Sequence, residues 1–368
     1  MRTMRLGISG FIRDIANMFR SGTVLGVDFG TASIKIAEVS RKGEQFRLEN
    51  YGIIEVHDYL GHANLALQAS SLDIIDHEAS RLLKYLISEM KPKSTTAVVS
   101  IPSFASFITL LDIPLISEKE TAQTVQFQAQ KYIPMPINQV QVDWVKVDEY
   151  ADERGIRFQR LLLIGIPEKV IVSYKNICKA SGLRAVAFEI DGIALARSLA
   201  HLTQPTLVVD IGANSSTMIV VDNGVAKHLS QTDYGGVHIT RALSKSLDLG
   251  MKRAETLKKR RGLLGKGGET ELSSLILPFL DVIIQEVAYA RSLYERRYGK
   301  KVLQFTFVGG GAELLGIEEH AAEQLGIPYV SPDTFTDVAY KPAIEPIIRN
   351  LAQELPVVVG LTKRYFLS

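Results

Sequence analysis

Short apolar blocks alternate along the chain with stretches in which apolar residues recur at helical spacing, the pattern of mixed strands and helices. Residues 23–28 predict a strand, Gly30 and Thr31 a turn, and residues 33–40 a second strand. Arg41, Lys42 and Gly43 predict a hairpin turn, and residues 46–56 a third strand. Ile75, Leu82, Leu83, Leu86 and Ile87 place a helix over residues 74–90, and residues 96–101 form a buried strand ended by Pro102. The pattern then changes. It predicts a strand at 107–113, a helix at 118–132, strands at 141–147 and 160–166, a helix at 168–181 stopped by Gly182, and a strand at 183–188. We expect this unit, residues 107–188, to be an insertion. A second strand cluster is predicted at 206–211, 216–222 and 225–231. Two helical stretches follow, separated by a Gly-rich basic link at 262–268. Residues 304–308 predict a strand that runs into Gly309, Gly310 and Gly311, then a helix through Leu325, and residues 344–366 a closing helical region.

The first twenty residues stand apart. Ile8, Phe11, Ile12, Ile15 and Phe19 share one helical stripe, with Arg5, Arg13 and Arg20 off it. Such a helix either packs on its own domain or a partner, or lies through residues 4–20 on an anionic membrane surface.

Composition narrows the class. A chain of 368 residues suits two or three packed subdomains. Lys plus Arg is 42 against 40 for Asp plus Glu, so no global field marks a nucleic-acid binder, and we expect no nucleic-acid partner. Lys252, Arg253, Lys258, Lys259, Arg260, Arg261 and Lys266 form a basic cluster without interleaved aromatics, which favours a solvated helix face. The single cysteine, Cys178, excludes a disulfide framework and a Cys-rich zinc site. The seven histidines show no metal-ligand spacing. No uninterrupted apolar run reaches the roughly 20 residues that span a bilayer, and no secretory pattern opens the chain. We therefore expect a soluble cytoplasmic protein.

The chemistry lies in a repeat. Residues 25–35 and 207–217 each give an apolar strand, an Asp (Asp28, Asp210), one apolar residue, a Gly (Gly30, Gly212), and small hydroxyl or amide residues entering another strand. The glycine admits a ligand close to the backbone, and the exposed N–H groups of such a turn make an anion-binding concavity. The strand-end Asp suits magnesium held through water. One Asp-x-Gly is an ordinary turn; two in equivalent contexts, a domain's length apart, suggest a pair that clamps one polyphosphate. The Gly309–Gly311 turn admits a flat base or sugar at close range.

These residues resemble the actin-like ATPases, in which the two hairpins are phosphate motifs and the glycine turn an adenosine motif. Within them the chain resembles the PilM family of type IV pilus assembly, relatives of FtsA. Carrying that likeness are residues 26–35, the Tyr132-Ile133-Pro134-Met135-Pro136-Ile137 element with nearby Asp143, and the Glu286 to Arg291-Ser292 helix. The resemblance implies an α/β, actin-like ATPase fold: two lobes with mixed β-sheets flanked by helices, and a strand-helix-strand-strand insertion. Lobe 1 would span 21–106, completed by 189–204 and 345–368, with the insertion at 107–188 and lobe 2 at 205–344. It implies ATP with Mg²⁺ in the cleft. Gly30, Thr31, Ser33 and Lys35 would bind from one lobe and Gly212, Asn214 and Ser215 from the other, with Asp28 and Asp210 serving the metal. Glu255, Lys258 and Lys259, with Gly309, Gly310 and Gly311, would sit at the adenosine, although the two lysines also read as surface charge. Glu189 and Asp191 are candidates for orienting water, or are structural carboxylates; at most a weak ATPase follows. The implied partner is the cytoplasmic N-terminal segment of a PilN-like inner-membrane protein, which would recruit this cytoplasmic protein to the membrane's inner face; self-association is a further expectation. The alternatives are an FtsA-like membrane-tethered cytoskeletal adaptor and an actin-fold small-molecule kinase.

Overall fold

The computed structural model describes residues 22–55, 72–264 and 270–367. The amphipathic stripe of the first twenty residues and most of the Gly-rich link lie outside them. The first hairpin is built by β1 (Gly22–Phe29), β2 (Ser33–Lys42) and β3 (Gln45–Glu55). Val24, Leu25 and Val27 are all buried, because β1 is a central strand covered on both faces. It pairs antiparallel with β2 and parallel with β4 (Thr96–Ile101).

Lobe 1 is a six-stranded mixed sheet, with short edge strand β13 (Val338–Ala339) next to β3 and then β2, β1, β4 and β8 (Arg184–Ile190). Helix α1 (Leu72–Met90) packs on β3 and on helix α3 (Glu168–Ala180). Helix α4 (Asp191–Ser198) packs on the closing helix α10 (Pro356–Leu367), where a side chain at Gly360 would strike the Ala194 carbonyl.

Lobe 2 is a four-stranded sheet, β11 (Val225–Thr232), β10 (Ser216–Asp222), β9 (Thr206–Ile211) and β12 (Gln304–Val308), with β9 and β12 parallel. Its helices are α5 (Gly236–Ser246), α6 (Met251–Arg261), α7 (Thr270–Tyr298) and α8 (Ile317–Leu325). Helix α7 alone among the described residues is long and apolar enough, by length and composition, to cross a membrane. The sequence hides this because Asp281, Glu286 and Arg291 interrupt its apolar run. Its Ile276, Leu280, Ile283, Val287 and Tyr294 are buried in the lobe-2 core, so it serves as the central core helix.

The insertion is a three-stranded antiparallel sheet, β5 (Phe107–Pro114), β7 (Arg157–Pro167) and β6 (Val140–Ala151), carrying helix α2 (Glu118–Tyr132). Ser117 and Glu120 close the start of α2 as a capping box, satisfying two of the orphan N–H groups of its first turn. One sheet face packs Leu111, Leu161 and Leu163 under α2; the other joins Leu162, Ile164 and Ile166 to the lobe-1 core.

Three boundaries differ from those the sequence suggests. Helix α3 and strand β8 belong to lobe 1, since β8 pairs in parallel with β4, so the insertion ends near Pro167 and not at 188. Residues 335–339 also return to lobe 1, where Phe335 and Val338 enter its core. The closing region is a 3-10 turn at Pro342–Ile347, helix α9 (Ile348–Glu354) and α10, broken before Pro356, a residue that cannot continue the hydrogen-bond ladder.

Candidate functional site

The two Asp-x-Gly turns fold alike. In the first, Phe29 pairs with Ile34 and residues 30–33 loop between them; in the second, Ile211 pairs with Ser216 and residues 212–215 loop. A Cβ on Gly30 would sit 3.1 Å from the Ser33 carbonyl oxygen, and one on Gly212 would sit 2.9 Å from that of Ser215. The same crowded position recurs in both lobes, and only hydrogen fits it comfortably. In the second turn the Gly212 N–H donates to Ser215 O at 3.0 Å, and the first N–H groups of α5, from Gly236 and Val237, donate to Gly212 O and Ala213 O.

Asp28 and Asp210 are the penultimate residues of β1 and β9, and each is half-buried. Ser100 Oγ, at the end of β4, donates to Asp28 Oδ1 at 2.6 Å and accepts from the Phe29 N–H. Burial raises the Asp28 carboxyl above the usual range, against that hydrogen bond and the Lys35 ammonium. Burial pushes Asp210 up to about 7; Lys35 opposes the rise, while Asp191, Asp28 and Glu354 add to it. Burial works against the Lys35 charge too, yet Glu354, Asp28 and Asp210 outweigh it and hold the ammonium above its ordinary value. The two hairpin aspartates thus lie within the field of one lysine.

Lys35 is ion-paired with Glu354, at the end of α9. Glu354 also lies beneath the glycine turn, where its Oε1 is 3.5 Å from the position a Gly310 Cβ would take. It is a site residue that the sequence does not announce, because a lone carboxylate ending a short helix carries no motif. The glycine turn itself is tightly placed. Gly309 has φ +81°, closed to most side chains. A Cβ there would collide with Asp210 Oδ1, and one on Gly311 with Ile211.

The two candidate acids part company. Glu189 is buried in a bidentate pair with Arg197 (2.5 and 2.7 Å) and a further pair with Arg364 at 3.4 Å. Burial raises its carboxyl, but both guanidinium groups outweigh this and hold it below the usual range. With its oxygens so engaged, Glu189 ties together β8, α4 and α10. Asp191 opens α4. It accepts from the Ser103 Oγ and N–H and from the Gly192 N–H. Burial pushes it to about 6, against the Ser103 hydrogen bond, with Asp28 adding to the rise.

A sequence profile described as "Type IV pilus assembly protein PilM" matches residues 26–366. The chain belongs to the PilM family. It is similar in fold to a solved "PilM-PilN type IV pilus biogenesis complex" (TM-score 0.77, 20% identity, covering 93% of this chain and 98% of that one). It is also similar to the ethanolamine utilization protein EutJ of Carboxydothermus hydrogenoformans (TM-score 0.53, 17% identity, 93% and 90%). A third likeness is to MreB5 of Spiroplasma citri bound to AMPPNP (TM-score 0.51, 16% identity, 93% and 95%). The fold is that of the actin-like ATPases.

In this PilM-family chain, Glu255, Lys258 and Lys259 all lie on α6 beside the glycine turn. Lys258 lines a narrow slot with Gly236, Ile211, Gly310 and Gly311, and Lys259 lies at the same slot. The Lys258 ammonium is spent on the Gly236 carbonyl and Thr240 hydroxyl, both at 3.0 Å, and on Glu255 at 2.8 Å. Its stem and not its charge is available there. The slot holds about 20 Å³, room for little more than a water molecule, so a purine could enter only by parting α6 from the turn. Among the described residues no three His, Cys, Asp or Glu side chains converge closely enough to hold a metal.

Proposed function

We propose that this member of the PilM family is a nucleotide-binding scaffold of type IV pilus assembly. A nucleoside triphosphate with magnesium would lie between the two hairpins. Asp28 and Asp210 would hold the metal through water, and the bound cation would neutralise phosphate charge. Gly30, Thr31, Ser33 and Lys35 would line the phosphates from lobe 1, and Gly212, Asn214 and Ser215 from lobe 2. The observation that carries this reading is the same hairpin in both lobes, each with a strand-end aspartate and a glycine position closed to a Cβ by the carbonyl three residues on. The fit is good where it can be tested: hairpin positions that crowd out a Cβ, aspartates raised by burial, and the Lys35 ammonium beside them. The MreB5 structure of the same fold, bound to AMPPNP, supports it. With Glu189 locked and Asp191 fastened by Ser103, turnover would be slow, and the nucleotide would act by setting lobe closure.

The same reading places the N-terminal segment of a PilN-like inner-membrane protein in a cavity of about 330 Å³ where the insertion meets lobe 2. Phe107, Tyr132, Ile133, Leu229 and Gln231 line it. Strands β5 and β11 each pair on one side only, so an extended segment could add main-chain hydrogen bonds to either edge. Binding it would recruit the protein from the cytoplasm to the inner membrane. Titration of the full chain with Mg²⁺–ATP and, separately, with a synthetic PilN-like N-terminal peptide tests both halves. Tyr132→Glu, at an exposed position of the same cavity, should abolish peptide binding and leave nucleotide binding intact; a wild type that binds neither ligand refutes the reading.

A further inference from the structure

Residues 236–264, the α5–α6 hairpin, carry eight Lys and Arg against two carboxylates. That is a net +6 in a chain whose total is +2, leaving the remainder at −4. The charge is also oriented. Lys252, Arg253, Thr256, Lys259 and Arg260 are exposed and follow the i, i+1, i+4, i+7, i+8 rule of a single helical face. The only carboxylate on α6, Glu255, is turned inward to Lys258 and Thr240. Lys252, Arg253 and Arg260 make no ion pair among the described residues, and Lys259 has only a long one, 3.8 Å to Glu55. In the chain, exposed leucines precede and follow this helix, Leu247 (39% exposed) and Leu264 (60%).

We infer that this face of α6 docks on an anionic phospholipid surface. A cationic face flanked by apolar side chains matches a bilayer interface, where charge meets headgroups and the leucines enter the acyl boundary. Residues 236–264 hold no Phe, Tyr or Trp, so they lack the stacking platforms of single-stranded nucleic-acid sites. No acid interrupts the face, so it lacks the mixed-sign pattern that fixes register against a folded protein. The docking rests on Lys252, Arg253 and Arg260, which lie outside the slot beside the glycine turn, and would add a direct hold on the membrane.

Flotation of the full chain with vesicles tests this. Wild type should rise with mixed phosphatidylglycerol–phosphatidylcholine vesicles, should stay behind with phosphatidylcholine alone, and should be released as salt rises from about 0.1 M to about 1 M. The triple variant Lys252→Gln, Arg253→Gln, Arg260→Gln should lose about a hundredfold in partitioning, at roughly a factor of five for each charge, with its melting temperature unchanged. Arg253→Gln alone should lose about fivefold. Undiminished binding by the triple variant would place any membrane contact elsewhere, including residues 4–20, and overturn the inference. So would equal binding to phosphatidylcholine, or displacement from vesicles by a DNA duplex that binds more tightly.

Discussion

Gly309 lies directly against Asp210. The parallel pairing of β9 and β12 sets Val308 beside Asp210, and the next residue, Gly309, passes over the carboxylate with its N–H donating to Gln353 O at 2.9 Å. The glycine turn and the second Asp-x-Gly hairpin are therefore one rigid corner.

That corner predicts unequal costs for two neighbouring glycines. Gly309→Ala meets both a positive φ and a collision with Asp210 Oδ1, and should destabilise the fold by about 2 kcal/mol or more. Gly310→Ala meets only the flexible Glu354 carboxylate at 3.5 Å and should stay within about 0.5 kcal/mol. Chemical denaturation of the two variants checks the order.

The Lys35–Glu354 pair predicts a trade between stability and ligand response. Both side chains are mostly buried, at 11% and 19% exposure, and removing one charge of such a pair strands the other. Glu354→Gln should lower the stability of the free protein by about 2–3 kcal/mol. A phosphate group can then replace the lost carboxylate beside Lys35, so the rise in melting temperature on adding Mg²⁺–ATP should be larger for the variant than for wild type. An equal or smaller rise would separate Lys35 from the phosphates.

The raised carboxyls set the pH dependence. Asp210 titrates at about 7 when folded, far above its unfolded value near 3.9. The folded state holds the proton more tightly, so the stabilisation is full at low pH and is lost as pH rises through about 7. Asp143 at about 7 and Asp191 at about 6 act in the same sense. Asp210→Asn mimics the protonated form. It should match wild-type stability near pH 3, exceed it by a margin that grows between about pH 4 and pH 7, and level off above that. Thermal melts across that range give the comparison.

The insertion is tied to lobe 2 by Arg160. Its guanidinium pairs with Asp112 at 2.7 Å and lies 4.7 Å from the ring centroids of both Tyr150, in β6, and Tyr298, in α7. Lys227 of β11 adds bonds to the Val147 carbonyl and to Asp148. Arg160→Ala should loosen the insertion by about 2 kcal/mol. Hydrogen exchange should quicken across residues 107–167 and stay unchanged in β9 and β10.

Much of this was legible in the chain. The Asp-x-Gly repeat marked two equivalent hairpins because hairpin chemistry is local, and residues 206–211, 216–222 and 304–308 folded as strands over those spans. The sheet to which a strand belongs is not local: Arg184–Ile190 has the pattern of any buried strand, and only its pairing with β4 assigns it to lobe 1. The two-residue β13 is too short to show a period. Glu354 enters the site through tertiary packing, and the capture of Glu189 by Arg197 and Arg364 joins residues that local patterns cannot relate. The alignment of charge on α6 was visible as composition, but its single exposed face was not.

The central claim is that both hairpins grip one ligand, and a double-mutant cycle on Mg²⁺–ATP affinity tests it most directly. Calorimetry would be run on wild type, Asp28→Asn, Asp210→Asn and the double variant. The account predicts that each single change weakens binding tenfold or more, and that the double change costs clearly less than the two losses combined, since both groups serve one metal–phosphate unit. Strictly additive losses, or a single variant that binds as tightly as wild type, would contradict it.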